Sequence, residues 1–506
     1  MSATNNKPYI LLISFLIVVI VASQIIYALN WHTPLLSDDW WFIYEASKMS
    51  DVRGVLPFFS FNTTWFVRPM QWLVTYAIFQ AWGTNVLPYH ITSQLLDLLN
   101  AVLLATLVFQ VLALFTSKKQ KTRLLLSVLV AALFLINWRH HETIFWYSSV
   151  NELLAAIFRL TTLNAVAYWI RRGRAYPVIF LISVLCAPLA IFSKESAAVL
   201  PLETLLLIST AALAHKSRPG FSWKQGTLLI GLQVLVVGTW AWFYMSSNSS
   251  AGVEMTRGGI QRLATAPIDR LLRFAEYLNV NYIGTGLING SRWILGAEFV
   301  LLLLLAVVAL RHHRWLWLFA LTWTLCSIVP YASTSPSVPA DWSMRAFGGD
   351  RYLYYSVGSA SLFFIASLIW LDEVPGVQFM RAYRIAVGLF IGAVVIGNAY
   401  QLIRMGQEWR TAGEIANHVL TQVVQDSPNP SSKDVLCLVN LPDNYAHKYI
   451  FRNGVNLALY LYYGTNNFTV RTFVNRNQII PPSDCTVIYE YVNTRRELVH
   501  IDYELP

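Results

Sequence analysis

Charge is scarce in this sequence. Of its 506 residues only 13% are Asp, Glu, Lys or Arg, while 56% are hydrophobic and the mean hydropathy is +0.47. That balance excludes an ordinary soluble globular chain, in which about a quarter of residues are charged. Cysteine is sparse too, four in all, which excludes a disulfide-built scaffold. His and Cys nowhere fall into a strong zinc-binding spacing. The sequence also lacks internal repeats and low-complexity tracts. A net charge of +10 and a pI near 9.3 would suggest nucleic acid in a soluble protein. Here the basic residues sit in short clusters between apolar runs, which is the pattern of cytoplasmic membrane loops, and nucleic acid is excluded as a partner.

What the sequence has is long apolar runs. A spanning helix needs about 20 mostly apolar residues. Runs near that length begin around positions 9, 88, 123, 150, 176, 196, 226, 293, 315, 353 and 383. They predict an all-α polytopic membrane protein with about 11 transmembrane helices. The first run is longer than a signal-peptide core and has no small-x-small cleavage site, so it reads as a retained helix.

The connections sort by charge. Lys7, Lys118, Lys119, Lys121, Arg123, Arg171, Arg172, Arg174, Lys216, Arg218, Lys224, Arg311, Arg314, Arg381 and Arg384 crowd the short loops of one side. That side is expected to be cytoplasmic, with the N-terminus inside and the C-terminus outside, in the plasma or inner membrane if the source is bacterial. Every long connection then falls outside: Trp31 to Pro88, Asn137 to Ser149, Ser246 to Arg292 and Ser333 to Tyr352. Long loops usually have a task, so the chemistry is expected on the extracytoplasmic face. Within the first loop, the 15-residue stretch Arg68 to Trp82 is helix-like, opens with Pro and is too short to span, which predicts an interfacial helix.

Composition changes near residue 404, which divides the chain into a membrane domain (1–403) and a soluble extracytoplasmic domain (404–506). Two β-type runs, Val435 to Asn440 and Thr486 to Tyr491, flank a helical stretch from Arg452 to Tyr463, as expected for a small α/β domain. Cys437 and Cys485 fall in this domain, and in an oxidising compartment they are either bonded or free.

Five constellations are candidates for chemistry. Adjacent Asp38 and Asp39 repel each other, so such a pair holds a cation, splits its pKa values for acid–base work, or caps a helix. The loop Arg139–His140–His141–Glu142 offers either metal ligands or ordinary interfacial polarity. Ser193–Lys194–Glu195–Ser196 forms a turn between two apolar runs, where Lys can hold a lipid phosphate or simply reach the interface. Arg345 and Arg351 flank a Gly-Gly-Asp turn, and guanidinium groups match phosphate oxygens. Inside the bilayer, His90, Gln94 and Asp97 share one helical face and Asn151, Glu152 and Arg159 share another. Asp97 and Arg159 lie at about the same depth, roughly 13 Å in at 1.5 Å per residue, and are expected to pair, with Glu203 a candidate extension.

In this order the pieces resemble a family. Asp38–Asp39 after the first helix, Arg68–Pro69, Tyr89–His90, Asn151–Glu152, Ser193–Lys194–Glu195 and Arg351–Tyr352–Leu353–Tyr354 are similar to motifs of the C-type (GT-C) glycosyltransferase superfamily. The likeness covers residues 8 to 400 and is greatest to protein O-mannosyltransferase-like and lipid A aminoarabinose transferase-like enzymes. It implies transfer of a sugar from a polyprenyl-phosphate carrier, embedded among membrane lipids, to an acceptor hydroxyl of a protein, glycan or lipid. It makes Asp38 or Asp39 the general base, with Asp38 favoured, and implies substrate-binding roles for Arg68, His90, Glu152, Lys194, Glu195, Arg351 and Tyr352; His141, Glu142 and Arg345, from the loop and turn constellations, join them as substrate-binding candidates. No organic cofactor is implied, and a divalent metal ion at Asp38 and Asp39 stays open. Two other readings compete. Intramembrane Asp97, Arg159 and Glu203 would suit a transporter or flippase of lipid-linked sugars, and a non-catalytic scaffold would leave the acidic pair dispensable.

Overall fold

The computed structural model describes residues 7–61, 66–172, 177–214, 223–246, 261, 313–332, 350–369, 380–475, 485–494 and 497–501. Helices dominate up to residue 426: α1 (Lys7–Ala28), α2 (Asp38–Ser47), α3 (Pro69–Trp82), α4 (Val86–Phe115), α5 (Gln120–Ile136), α6 (His141–Phe145), α7 (Val150–Arg172), α8 (Pro177–Ile191), α9 (Leu200–Ala214), α10 (Trp223–Ser246), α11 (Arg314–Ala332), α12 (Tyr354–Ile369) and α13 (Met380–Asp426). Ten of the eleven expected spans coincide with one of these helices, and the one near 293 lies outside the described residues.

Among the described residues five helical segments are long and apolar enough to cross a bilayer, or six if α5 and the bent segment after it count as one. The chain is thus a multi-pass membrane protein in outline, and a count of 11 goes beyond what these helices establish. Leu, Val, Ile and Ala fill the faces turned inward, while residues such as Leu95, Val102, Leu235 and Leu389 point outward and stay exposed, as lipid-facing positions do. α3 is only 14 residues long, begins with Pro69 at its first position and ends at Gly83, so its length cannot span the hydrocarbon.

The bundle is stitched by polar groups that have no water to turn to. Arg159 on α7 donates from Nη2 to Oε1 of Glu203 on α9 at 2.5 Å and from Nε to Oε2 at 3.2 Å. The Tyr355 ring covers the guanidinium at 3.4 Å. The expected Asp97–Arg159 contact is not formed. Asp97 instead accepts a hydrogen bond from the Tyr354 hydroxyl at 2.7 Å, with His140 Nδ1 3.6 Å away. Helical rise fixes depth but not direction, and the two charges leave their helices towards different neighbours.

α13 runs unbroken through residue 404 and carries the C-terminal part on its far end. There β1 (Val435–Val439) pairs in parallel with β4 (Thr469–Phe473) and β5 (Val487–Val492), and β6 (Glu497–His500) adds antiparallel to β5. A two-stranded ribbon, β2 (Asn444–Tyr445) and β3 (Lys448–Tyr449), and helix α14 (Val455–Tyr463) lie between β1 and β4. Both strand regions and the helix read from the sequence are present, and Cys437 is bonded to Cys485. The loop after α1 presses onto α13 where that helix offers glycine: a β-carbon on Gly406 would meet Asn30 Nδ2 at 2.5 Å, and one on Gly413 would meet Pro34 Cδ at 2.7 Å.

The Arg159–Glu203 pair gives a direct test of buried-charge energetics. Arg159→Met or Glu203→Leu alone is expected to destabilise the protein by about 3–5 kcal/mol, because each strands one buried charge. The double variant should lose less than either single one, read as unfolding midpoints in detergent. A double variant as unstable as the sum of the singles would reject the pairing.

Candidate active site

Asp38 and Asp39 open α2, whose N-cap Ser37 makes no side-chain cap, so two acids face the positive end of the helix. Their fates differ. Asp39 is buried, at 2% exposure, and both its oxygens accept hydrogen bonds. Oδ2 accepts from the Leu36 N–H at 3.0 Å, and Oδ1 accepts from the Ser148 N–H at 2.7 Å and the Ser148 hydroxyl at 2.5 Å. Burial pushes this carboxyl up to about 7 against the pull of those three donors. Asp38 is only partly buried, and its Oδ1 accepts from Asn453 Nδ2 at 2.7 Å.

The two carboxylates are thus committed to different partners, Asp39 to Leu36 and Ser148 and Asp38 to Asn453. Among the described residues no group of three or more His, Cys, Asp or Glu side chains could hold a metal.

A second set gathers around the Tyr352 ring. Lys194 Nζ lies 5.5 Å from its centroid and the Arg351 guanidinium 4.6 Å. Tyr331 stacks on it at 5.0 Å, and Arg351 Nη2 donates to the Tyr352 hydroxyl at 3.0 Å. Each cation also has a carboxylate. Lys194 lies 3.1 Å from Glu152, Arg351 pairs with Glu142, and Arg68 at the head of α3 grips Glu195 with two nitrogens at 2.9 and 3.0 Å. The sequence-predicted Arg68, Glu142, Glu152, Lys194, Glu195, Arg351 and Tyr352 are thus brought into ion pairs or ring contacts with one another. Arg345 lies outside the described residues.

Histidines serve elsewhere. Trp409 on α13 donates its indole N–H to His141 Nδ1 at 2.9 Å, so neutral His141 carries its proton on Nε2 and donates it to Asp350 Oδ2 at 3.0 Å. Asp350 also pairs with Arg139, locking the 138–142 segment to the 350–353 turn. His90 Nε2 meets the Thr33 carbonyl at 2.8 Å and fixes the loop that leads into α2.

The segment Trp146 to Glu152 links the acids to the cations. Ser148 holds Asp39, Trp146 donates its indole N–H to the Leu36 carbonyl at 3.4 Å and lies under the Arg351 guanidinium at 4.9 Å, and Glu152 meets Lys194. Ser148, Trp146, Tyr331, Trp409 and Asn453 were not singled out from sequence. None carries a local motif, and only the fold shows that they touch the candidates.

No protein-family model matches the chain, and no curated protein sequence matches it. Some solved structures are similar in outline. ArnT from Cupriavidus metallidurans bound to undecaprenyl phosphate aligns over 97% of this chain and 94% of its own, at 12% identity and a TM-score of 0.46. Its apo state aligns over 95% and 93%, at 11% identity and a TM-score of 0.47. The archaeal oligosaccharyltransferase AglB from Archaeoglobus fulgidus, in complex with an inhibitory peptide and a dolichol-phosphate, aligns over 97% of this chain and 70% of its own, at 12% identity and a TM-score of 0.46. Scores this low carry no residue role from those proteins to this one.

The raised Asp39 carboxyl has a measurable signature. Its folded form keeps the proton up to about 7, whereas the unfolded chain releases it near the ordinary value of 3.8. Between these values the native state binds more protons, so its stability falls as pH rises through the window. Asp39→Asn is expected to flatten that part of the stability–pH curve, whatever its absolute stability. Thermal midpoints of both proteins from pH 4 to pH 8 provide the check, and parallel curves would overturn the assignment.

Proposed function

We propose that this protein is an integral membrane glycosyltransferase that moves a sugar from a polyprenyl-phosphate donor to an acceptor hydroxyl at the extracytoplasmic face, with Asp38 as general base. The observation that carries the proposal is the contrast among the acids. Glu142, Glu152, Glu195 and Asp350 each face an Arg or Lys, and Asp39 is buried and accepts from three donors. Asp38 alone of these six is held by a neutral amide and remains partly exposed. A base must reach the proton it removes, and a carboxylate held by a cation is a poorer proton acceptor. The near-neutral titration of Asp39 would suit a base as well, but that carboxyl is buried and already shared among three protein donors.

In this reading the acceptor oxygen attacks the anomeric carbon as Asp38 takes its proton. The bond from that carbon to the phosphate oxygen breaks, and the lipid phosphate leaves as an anion. Lys194 and Arg351, both beside the Tyr352 ring, meet that anion. An ammonium has three N–H donors and a guanidinium five, so one carboxylate each does not exhaust them. The six motifs shared with the GT-C superfamily support the same chemistry. The charges that motivate a flippase reading, Asp97, Arg159 and Glu203, have internal partners in the bundle.

Sugar transfer by purified protein from defined polyprenyl-phosphate donors tests the proposal. Asp38→Asn is expected to lower turnover by about 10²- to 10⁴-fold with donor KM little changed. Asp39→Asn should act chiefly through stability. Lys194→Ala and Arg351→Ala should each weaken donor use by about 10- to 150-fold, the loss of one charge-assisted contact. Full activity of Asp38→Asn would remove it from the role of base, and wild-type donor KM and turnover in both cation variants would remove the phosphate clamp.

A further inference from the structure

The turn that aims Asp38 is closed locally by the Asp39 N–H on the Leu36 carbonyl at 3.0 Å, but it is not held by its own neighbours in sequence alone. Ser37 has φ 48° and ψ −116°, a conformation that a residue with a side chain rarely adopts. Such strain persists only where surrounding contacts impose it. Here the contacts come from the C-terminal domain, more than 400 residues further along the chain. The Ser37 N–H donates to the Ile450 carbonyl at 3.0 Å. Gly454 sits against the same turn, at φ +84°, and a β-carbon there would lie 2.7 Å from the Ser37 carbonyl oxygen and 3.4 Å from Trp40 Cβ. Between them, Asn453 donates to Asp38 Oδ1 at 2.7 Å. Tyr449, just before this strap, packs on Trp146 at 5.3 Å, and Lys448 pairs with Glu408 on α13 at 2.9 Å, so the strap is anchored at its base.

We infer that the strap Ile450–Gly454 is a positioning element for the general base, with Asn453 as the positioning residue that orients the Asp38 carboxylate. The inference rests on Asp38 being the base. An amide is suited to this task. It fixes one carboxylate oxygen by a hydrogen bond, leaves the other for the acceptor hydroxyl, and adds no positive charge that would weaken the base. The elements packed on α2, namely α3, α14 and the Tyr147–Ser149 turn, bring no Asp, Glu, His, Lys or Arg. On the helix itself the charges are Asp39 and Glu45, the latter paired with Lys48 at 2.9 Å, and the strap carries Arg452, which lies over the Tyr449 ring at 4.9 Å.

The experiment is steady-state sugar transfer against pH for wild type, Asn453→Ala, Asn453→Asp and Asp38→Asn, with Asn453→Ala also made in the Asp38→Asn background. Asn453 is exposed, so its variants should fold, and thermal midpoints verify this. Asn453→Ala is expected to lower kcat by about 10- to 100-fold with donor KM unchanged. It should also move the acid limb of kcat/KM upward, because the charged carboxylate loses a donor. Asn453→Asp should move that limb further by like-charge repulsion. In the Asp38→Asn background, Asn453→Ala should add nothing. If Asp38→Asn is inactive while both Asn453 variants keep wild-type kcat and acid limb, the positioning role is overturned and the base stands. If Asp38→Asn is fully active, the base itself has failed, and the strap's role with it.

Discussion

A charge with no water around it has to find its opposite, and this requirement organises the candidate site. Arg68–Glu195, Arg139–Asp350, Arg159–Glu203, Lys194–Glu152 and Arg351–Glu142 each join segments far apart in sequence. Removing one partner would leave an ion that costs several kcal/mol to bury, so each pair behaves as a latch between turns. Aromatic faces complete the arrangement. Tyr352, Trp146 and Tyr355 cover the guanidinium and ammonium groups and restrict where those groups can turn. The turns that carry the chemistry are irregular, yet they are held as firmly as helices because their charges are shared.

The same requirement explains why Asp38 differs from its neighbours. A carboxylate enclosed by arginine is a strut, and one enclosed by three backbone and hydroxyl donors is a cap. Only an acid with spare lone pairs and access to the surface can accept a proton from an incoming molecule. The contrast between Asp38 and Asp39, adjacent in sequence, comes from the helix geometry, which sends consecutive side chains in different directions.

Much of this was legible in the sequence, and the illegible remainder has a common cause. Apolar runs marked ten helices because a lipid-facing surface demands length and composition that a linear reading can count. Two β-type runs marked strands β1 and β5, Lys194 and Arg351 stood out as charges in turns beside apolar runs, and Arg68 through the resemblance. Azimuth was not legible. Asp97 and Arg159 share a depth, but which neighbour each faces depends on helix rotation and packing, and Arg159 meets Glu203 instead. Nor could spacing identify Asn453 or Trp409, ordinary residues that matter only because a distant segment folds back onto α2 and α6.

α13 is 47 residues long, so at 1.5 Å per residue it measures roughly 70 Å, more than twice the thickness of a hydrocarbon core of about 30 Å. It carries no proline and no interruption between its apolar and polar stretches. The C-terminal sheet is docked against the far end of this helix, where Gln422 is hydrogen-bonded to Leu498 in the last strand. Because Lys448 at the base of the strap pairs with Glu408 on the same helix, the strap's place along the helix axis is a built-in dimension of the molecule, set by helical rise.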